Sequence, residues 1–533
     1  MMLSESQNRR AISCAEKLAL LSLLKRAPST PKKNEPPPQT SEEWDPERVL
    51  SFSCEICLSE TLAFLCGVSD SHAHVVAVSI EEPMDSSGID VVVAINRNLP
   101  DSNSDIISQI TDGLSEIFAH LSQVKVNDEE ALSNEEVLLE DRVLVAILEM
   151  CKPRLLSRIR SKQHHETYER RINDRPFFGS SIMTTVEAVR KYRKVKRKST
   201  ELRDQVAAFL RDATYLANAL CVFEMDQSVG FSIKDITKLA AHLTAEFNLD
   251  IIFDGIAPNE LAPQEKARFI DCVKKLARYY EASQFLFQLS KKSGLFKNAT
   301  VTTVSLDAQY FSRVKEVPVE GSLAKCLNRC QGPSWLPPFG VNGISRRLKK
   351  DKPESNVAFR EALNTALCDS KIHAEMQIVA YYELPENRNR RRPRVICASK
   401  DACYPCNEFV QLHQVFYIPR THGNLYKGWR VPAVPSLSPV HDQLNKSLLE
   451  TIGNILYEFH EDHRKTADLK SNENESSICN VKLLMSSLDG IKAAASNEQQ
   501  SVTGESSTEP GQAPAVLHLT GSTVSRTNRA KHR

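Results

Sequence analysis

Four side chains in one short stretch have the types and spacing for metal-assisted chemistry: His373 and Glu375, then Cys403 and Cys406. An imidazole and two thiolates are zinc ligands, and a catalytic zinc takes three protein ligands while keeping a fourth position open for water. A nearby carboxylate that is not a ligand can move protons between that water and a substrate. Each pair alone is unremarkable: Cys-x-x-Cys is often just core cysteines, and His-Ala-Glu occurs by chance. In this order, and on the elements that follow, they point to a zinc site with Glu375 as proton shuttle.

The elements must bring these groups together. Residues two apart on a helix do not face each other. His373 and Glu375 can share a site only if His373 is the cap of a helix that starts there, runs through Ile378, Val379, Tyr381, Tyr382 and Leu384, and stops at Pro385. A preceding helix is expected over 354–370. A basic loop, 388–393, leads into Arg394-Val395-Ile396-Cys397-Ala398-Ser399, short and apolar enough for a buried strand. A further helix starts near Cys403 and carries Phe409, Val410, Leu412 and His413, so that Cys403 and Cys406, at i and i+3, share a face. A helix N-terminus favours the thiolate, and the metal would lie between two such ends. Helix, strand, helix suits a crossover unit of an α/β sheet.

His-x-Glu followed after 27 residues by Cys-x-x-Cys resembles the zinc-dependent cytidine-deaminase-like superfamily. Ser399-Lys400-x-x-Cys403-Tyr404-x-Cys406 and His422-Gly423-x5-Trp429 are similar to one lineage of it, the nucleic-acid or nucleotide deaminases expanded in fungi and seen in intracellular bacteria. The match covers residues 371–432. The resemblance implies Zn2+ on His373, Cys403 and Cys406, Glu375 moving protons, and a three-layer α/β core with a mixed sheet. It further implies a nucleotide or single-stranded nucleic acid as substrate and partner. The superfamily signature has Pro directly before the first Cys; here Ala402 stands there and Pro405 lies inside the pair.

Hydrophobic content of 41% and charged content of 25% are ordinary for a globular protein. The net charge of +1 gives no global attraction to polyanions, so nucleic-acid binding would have to come from local patches. Three basic strips are candidates, at 190–198, where seven of nine residues are Lys or Arg, at 346–350 and at 388–394. Each reads equally as a solvated surface. No secretory signal or apolar run of membrane-spanning length is apparent, and a transit peptide is a secondary reading of the amphipathic segment 15–24. Fourteen cysteines without a secretory signal suggest reduced thiols in the cytoplasm or nucleus, away from membranes.

The chain divides into a disordered segment, 1–46, whose 28–38 stretch is Pro-rich; a helix and β-hairpin, 47–125; a mainly helical insertion or middle domain, 126–353; the motif region, 354–435; a C-terminal helix and possible strand, 436–489; and a disordered tail, 490–533. The hairpin pairs 74–80 with 88–95 across the turn residues Asp85-Ser86-Ser87-Gly88. The superfamily carries such a hairpin just before its His-x-Glu helix, so the sheet is expected to be split, with the hairpin beside the 394–399 strand. Asn96 and Asn98 would then end the second strand, where the resemblance implies contact with the substrate sugar; a solvated strand end is the alternative. His422 and Trp429 could stack on or orient a base, or could be packing. Cys54 and Cys57 read as helical core, and Cys326 and Cys330 have no ligand cluster near them. Residues 331–345 read as a loop over the site, and 478–485 as a strand. A rival reading makes the chain an interaction module in which zinc is structural, closed by His413 or His422 as fourth ligand.

Overall fold

The computed structural model describes residues 3–37, 48–84, 88–100, 102–126, 133–159, 178–195, 200–225, 232–254, 256–314, 322–330 and 340–461. The turn expected at 85–87, the loop expected at 331–339, the strand expected at 478–485 and the expected disorder of 490–533 fall on residues outside these.

Two sheets occur among the described residues. β1 (Lys32–Lys33) and β6 (Arg420–Thr421) form a short antiparallel ribbon. The main sheet contains β2 (Val76–Glu81), β3 (Asp90–Ile95), β4 (Thr300–Thr303) and β5 (Cys397–Ala398), in the order β4-β3-β2-β5. β2 and β3 form the expected antiparallel hairpin, Val76 opposite Ile95 through Glu81 opposite Asp90. β2 also pairs antiparallel with β5, Ala77 opposite Ala398, so one sheet does join segments from distant parts of the chain. β4 adds a parallel edge to β3, making the sheet mixed. Beyond β5, parallel bridges link Val395 to Tyr417 and Ala402 to Thr421.

Alternate side chains of a strand point to opposite faces, and both faces here are buried. Val76, Val78, Ile80, Val91, Val93 and Ile95 enter one core. Ala77, Val92, Ala94, Ile396 and Ala398 enter the other, where the small alanines leave room for the site helices to lie close to the sheet.

The first core is built by α2 (Phe52–Cys66), α3 (Ser104–Leu121), α4 (Asn134–Ile159), α5 (Phe178–Val195), α6 (Thr200–Met225), α7 (Ile233–Glu246), α8 (Leu249–Phe253) and α9 (Pro263–Ser293). The helical middle region is therefore not a separate body: α4 through α9 share a continuous core with α2, α3 and the hairpin. Cys54 and Cys57 are buried on α2, as core residues. Within α6, 203–224 is long and apolar enough to cross a membrane by length and composition, which corrects the expectation that no run reaches that length. Val206, Phe209, Ala213, Leu216 and Leu220 bury it in this core, and a core helix meets the same criterion.

The second core holds α1 (Glu5–Leu24), α10 (Leu323–Cys330), α11 (Val341–Leu348), α12 (Lys352–Cys368), α13 (Ala374–Glu383), α14 (Tyr404–His413) and α15 (Ser438–Glu461). Two expectations are corrected here. Residues 341–345, expected as loop, are helical and open α11. The N-terminal segment, expected to be disordered, is a helix with a full capping box between Ser4 and Gln7. Its Leu18, Leu20, Leu21 and Leu24 are buried against α12 and α15. Burying a leucine side chain contributes roughly 1.5–3 kcal/mol, enough in sum to order the helix.

The chain after α1 stays on the surface of the motif region. The Leu425 N–H donates to the Arg26 carbonyl at 2.8 Å, the Asn34 N–H to the Pro419 carbonyl at 2.9 Å, and β1 pairs with β6. Gly423 has φ of 70° and sits so near Ser29 that an added Cβ would fall 2.0 Å from its carbonyl oxygen. Glycine alone fits there.

Candidate metal centre and its cavity

His373 is the N-cap of α13, with extended backbone at φ −67° and ψ 156°, and Cys403 is the N-cap of α14, at φ −73° and ψ 163°. His373 therefore sits outside regular helix, as its spacing to Glu375 demands, and Cys403 is likewise a cap, with Cys406 one turn into α14. Pro405 falls in the first turn of α14, where its missing N–H costs nothing. The displaced proline thus leaves the helix start intact.

The ligand atoms of His373, Cys403 and Cys406 lie within 4.8 Å of one another. His373 Nδ1 is 3.4 Å from Cys403 Sγ and 3.6 Å from Cys406 Sγ. A tetrahedral zinc with ordinary Zn–N and Zn–S bond lengths would hold such atoms about 3.6 Å apart, so the three donors fit the ion. Cys403, Cys406 and His373 share charge. Burial would push Cys403 up, yet the hydrogen bond with Cys406 and the His373 imidazole hold it well below the usual thiol range. Cys406 is pushed well above that range by burial and by the Cys403 thiolate. Burial opposes protonation of His373, but the Cys403 thiolate overcomes it and raises the imidazole.

Glu375 lies on the first turn of α13, buried, with Oε2 lacking any hydrogen-bond partner among the described residues. Burial pushes its carboxyl up, opposed by His373 and reinforced by Cys403. A buried, unsatisfied acceptor is costly, and one left facing a cavity is poised for a substrate or water proton.

That cavity has a volume of about 680 Å³, within the range of small-molecule sites. His373, Glu375, Cys403, Asn96, His422 and Tyr426 line it, and Ser22, Leu23 and Arg26 from the N-terminal segment form part of its wall.

The remaining expected site residues divide. Asn96 lines the cavity, and its Oδ1 accepts from the Ala374 N–H at 2.8 Å, capping the helix that presents Glu375. Asn98 does not line it; its Oδ1 accepts from Ser102 Oγ at 2.9 Å, because the chain turns away after the bridge between Arg97 and Ile372. His422 is buried at the cavity, with Nδ1 accepting from the Asn424 N–H at 3.0 Å and its ring edge-on to Tyr426. Trp429 is 1% exposed and stands behind the metal site: its Nε1–H donates to Cys406 Sγ at 3.1 Å. It faces Cys406 and does not line the cavity in which a base would stack. His413 pairs with Glu383 at 3.4 Å and stacks on Phe409 and Phe416. Neither His413 nor His422 belongs to the three-donor cluster, and no other such cluster occurs among the described residues. Cys326 is buried, its thiol near the Glu16 carbonyl.

Sequence reasoning gave no role to the Lys371, Lys400 and Asp401 side chains on the cavity wall, and missed Arg26 entirely. The 388–394 strip also changes meaning. Arg390 pairs with Glu81 and Asp90, Arg392 with Glu383, and Arg394 with Glu55, all largely buried carboxylates.

A sequence model of the family described as "OTT_1508_deam:-like deaminase" matches residues 372–433. The matched span holds His373, Glu375, both cysteines and Trp429, so the chain carries a deaminase-like region whose His/Cys/Cys cluster fits the zinc type. No curated protein and no solved structure matches the chain.

Proposed function

We propose that this protein is a zinc-dependent hydrolytic deaminase acting on a nucleobase, cytosine or adenine, of a nucleotide or nucleic acid. The observation that carries this reading is the unpartnered, buried Glu375 Oε2 beside a three-donor cluster that opens on a cavity. His373 Nδ1, Cys403 and Cys406 would hold the ion. When bound, zinc supplies Lewis acidity that brings the pKa of a water in the open position toward neutrality.

The chain's own groups do the rest. Glu375 takes a proton from the water and delivers it to the ring nitrogen, then takes the remaining proton from the added hydroxyl and delivers it to the departing amine. Water adds to the carbon bearing the exocyclic amine, C4 of cytosine or C6 of adenine, the C–N bond breaks, ammonia leaves and a carbonyl remains. Asn96 keeps α13 in place, and His422 and Tyr426 give the base a polar edge and an aromatic wall. The reduced thiols this requires suit the cytoplasm or nucleus.

The rival interaction module with structural zinc needs a closed site. His413 is engaged by Glu383, and His422 Nδ1 by the Asn424 N–H, which favours the open site. Glu375→Ala is the test. Zinc content should persist while ammonia release from the turned-over nucleoside or nucleotide falls by at least about 10²-fold. Full activity in that variant would refute the role.

A further inference from the structure

The cavity wall carries cations that the proposed chemistry does not use. Lys371 is half-buried, two residues before His373, and its ammonium makes no ion pair or hydrogen bond among the described residues. Arg26, brought by the N-terminal segment, and Lys427, on the loop after Tyr426, stand exposed at the rim and are likewise unpaired among the described residues. A half-buried ammonium without a counter-charge is unfavourable, and an anion entering the cavity would relieve it.

The carboxylates of the same wall do not fill that role. Asp401 is engaged by Arg420 at 3.3 Å, and Glu375 belongs to the proton pathway. Glu361 and Asp369 are exposed on the α12 side, where water screens them.

Size and enclosure narrow the ligand. α1 and the chain after it close one side of the cavity through Ser22, Leu23 and Arg26, and the Ser29–Gly423 approach fixes that segment against the 422–428 loop. Among the described residues none of the three basic strips lines the cavity, and Arg390, Arg392 and Arg394 of the one at 388–394 are paired internally. The setting is a pocket with a basic rim, not a groove that tracks a polyanion.

We propose that Lys371 and Arg26 bind the phosphate of a free mononucleotide, and that the N-terminal segment thereby completes the substrate site. This rests on the deaminase reading for the base, but its test does not depend on turnover. Lys371 supplies the inner charge beside the metal centre, and Arg26 a guanidinium whose donors match phosphate oxygens.

The experiment measures equilibrium binding to zinc-loaded Glu375→Ala protein, which cannot consume ligand. The probes are cytidine, adenosine, their 5′-monophosphates and a short single-stranded oligonucleotide. One monophosphate should bind on the order of 10- to 100-fold more tightly than its nucleoside. Lys371→Met should abolish that advantage, Arg26→Ala should reduce it, and Arg26→Lys should restore part of it, while nucleoside binding stays unchanged in all three. Arg26 is exposed, so its variants fold even if Lys371→Met does not. Equal binding of nucleoside and monophosphate, or equal losses for both in the variants, overturns the proposal. Tighter binding of the oligonucleotide than of either monophosphate, falling steeply with salt, overturns its restriction to a free nucleotide. Ammonia release assayed separately on the wild type tells failure of the phosphate site from failure of the deaminase reading.

Discussion

Replacing Trp429 by phenylalanine removes one hydrogen-bond donor from a cysteine that would bind metal, and leaves the aromatic ring that packs behind it. The indole Nε1–H lies 3.1 Å from Cys406 Sγ, and the side chain is 1% exposed. A hydrogen bond to a charged acceptor contributes about 1.5–3 kcal/mol, and every 1.4 kcal/mol is about tenfold in an equilibrium constant. Zinc affinity should therefore fall roughly 10- to 100-fold, the range found when groups supporting metal ligands are removed. Competition against a chromogenic chelator at neutral pH measures it. The smaller ring also costs stability, roughly 1–3 kcal/mol, so a control with the donor intact is needed. Phe409, whose ring centroid lies 6.4 Å from that of Trp429, serves through Phe409→Leu. That variant should lose comparable stability and keep native zinc affinity. A folded Trp429→Phe protein with unchanged zinc affinity would refute the reasoning and return Trp429 to packing alone.

Two further outcomes follow from buried groups away from the centre. His441 is held neutral by burial, its pKa lowered to about 4, with Arg10 and Lys17 adding to the shift and Asp442 opposing it. The unfolded chain takes up that proton near the ordinary value of about 6.5, so its contribution is intact above that value and is lost as pH falls from about 6.5 to 4, by about 3 kcal/mol. His441→Leu should shrink the difference in unfolding free energy between pH 7 and 4.5; an unchanged difference would contradict the assignment. Gly423→Ala introduces a Cβ 2.0 Å from the Ser29 carbonyl at a left-handed backbone position. It should lower stability by roughly 1–3 kcal/mol and open residues 25–37 to limited proteolysis, whereas native melting and an uncut segment would show that the close approach is not formed.

The centre was legible because its geometry is local. The i, i+2 spacing requires His373 to be a cap, and it is; the helix expected to start near Cys403 does start there, with Cys403 as its N-cap. The hairpin was legible from alternation and turn residues, and its pairing with the 394–399 segment followed from the resemblance. What escaped depends on tertiary neighbours. The Pro-rich run at 28–38 dominated the reading of residues 1–46, although Ser4-x-x-Gln7 and the leucines of 18–24 mark a capped, buried helix. Trp429 and Asn98 have the right types for substrate contact, but only the packed structure turns one toward Cys406 and the other toward Ser102. The arginines of 388–394 looked like a surface strip because their acidic partners, Glu55, Glu81 and Asp90, lie far away in sequence. Lys371 carries no motif of its own, and its meaning comes from being half-buried without a partner beside the cavity.

Zinc content per chain, measured on the purified protein and on Cys403→Ser, tests the central claim most directly. One zinc per native chain, lost in the variant while the fold is retained, is the predicted result. A native protein that holds no zinc and takes up none when it is supplied would contradict the account.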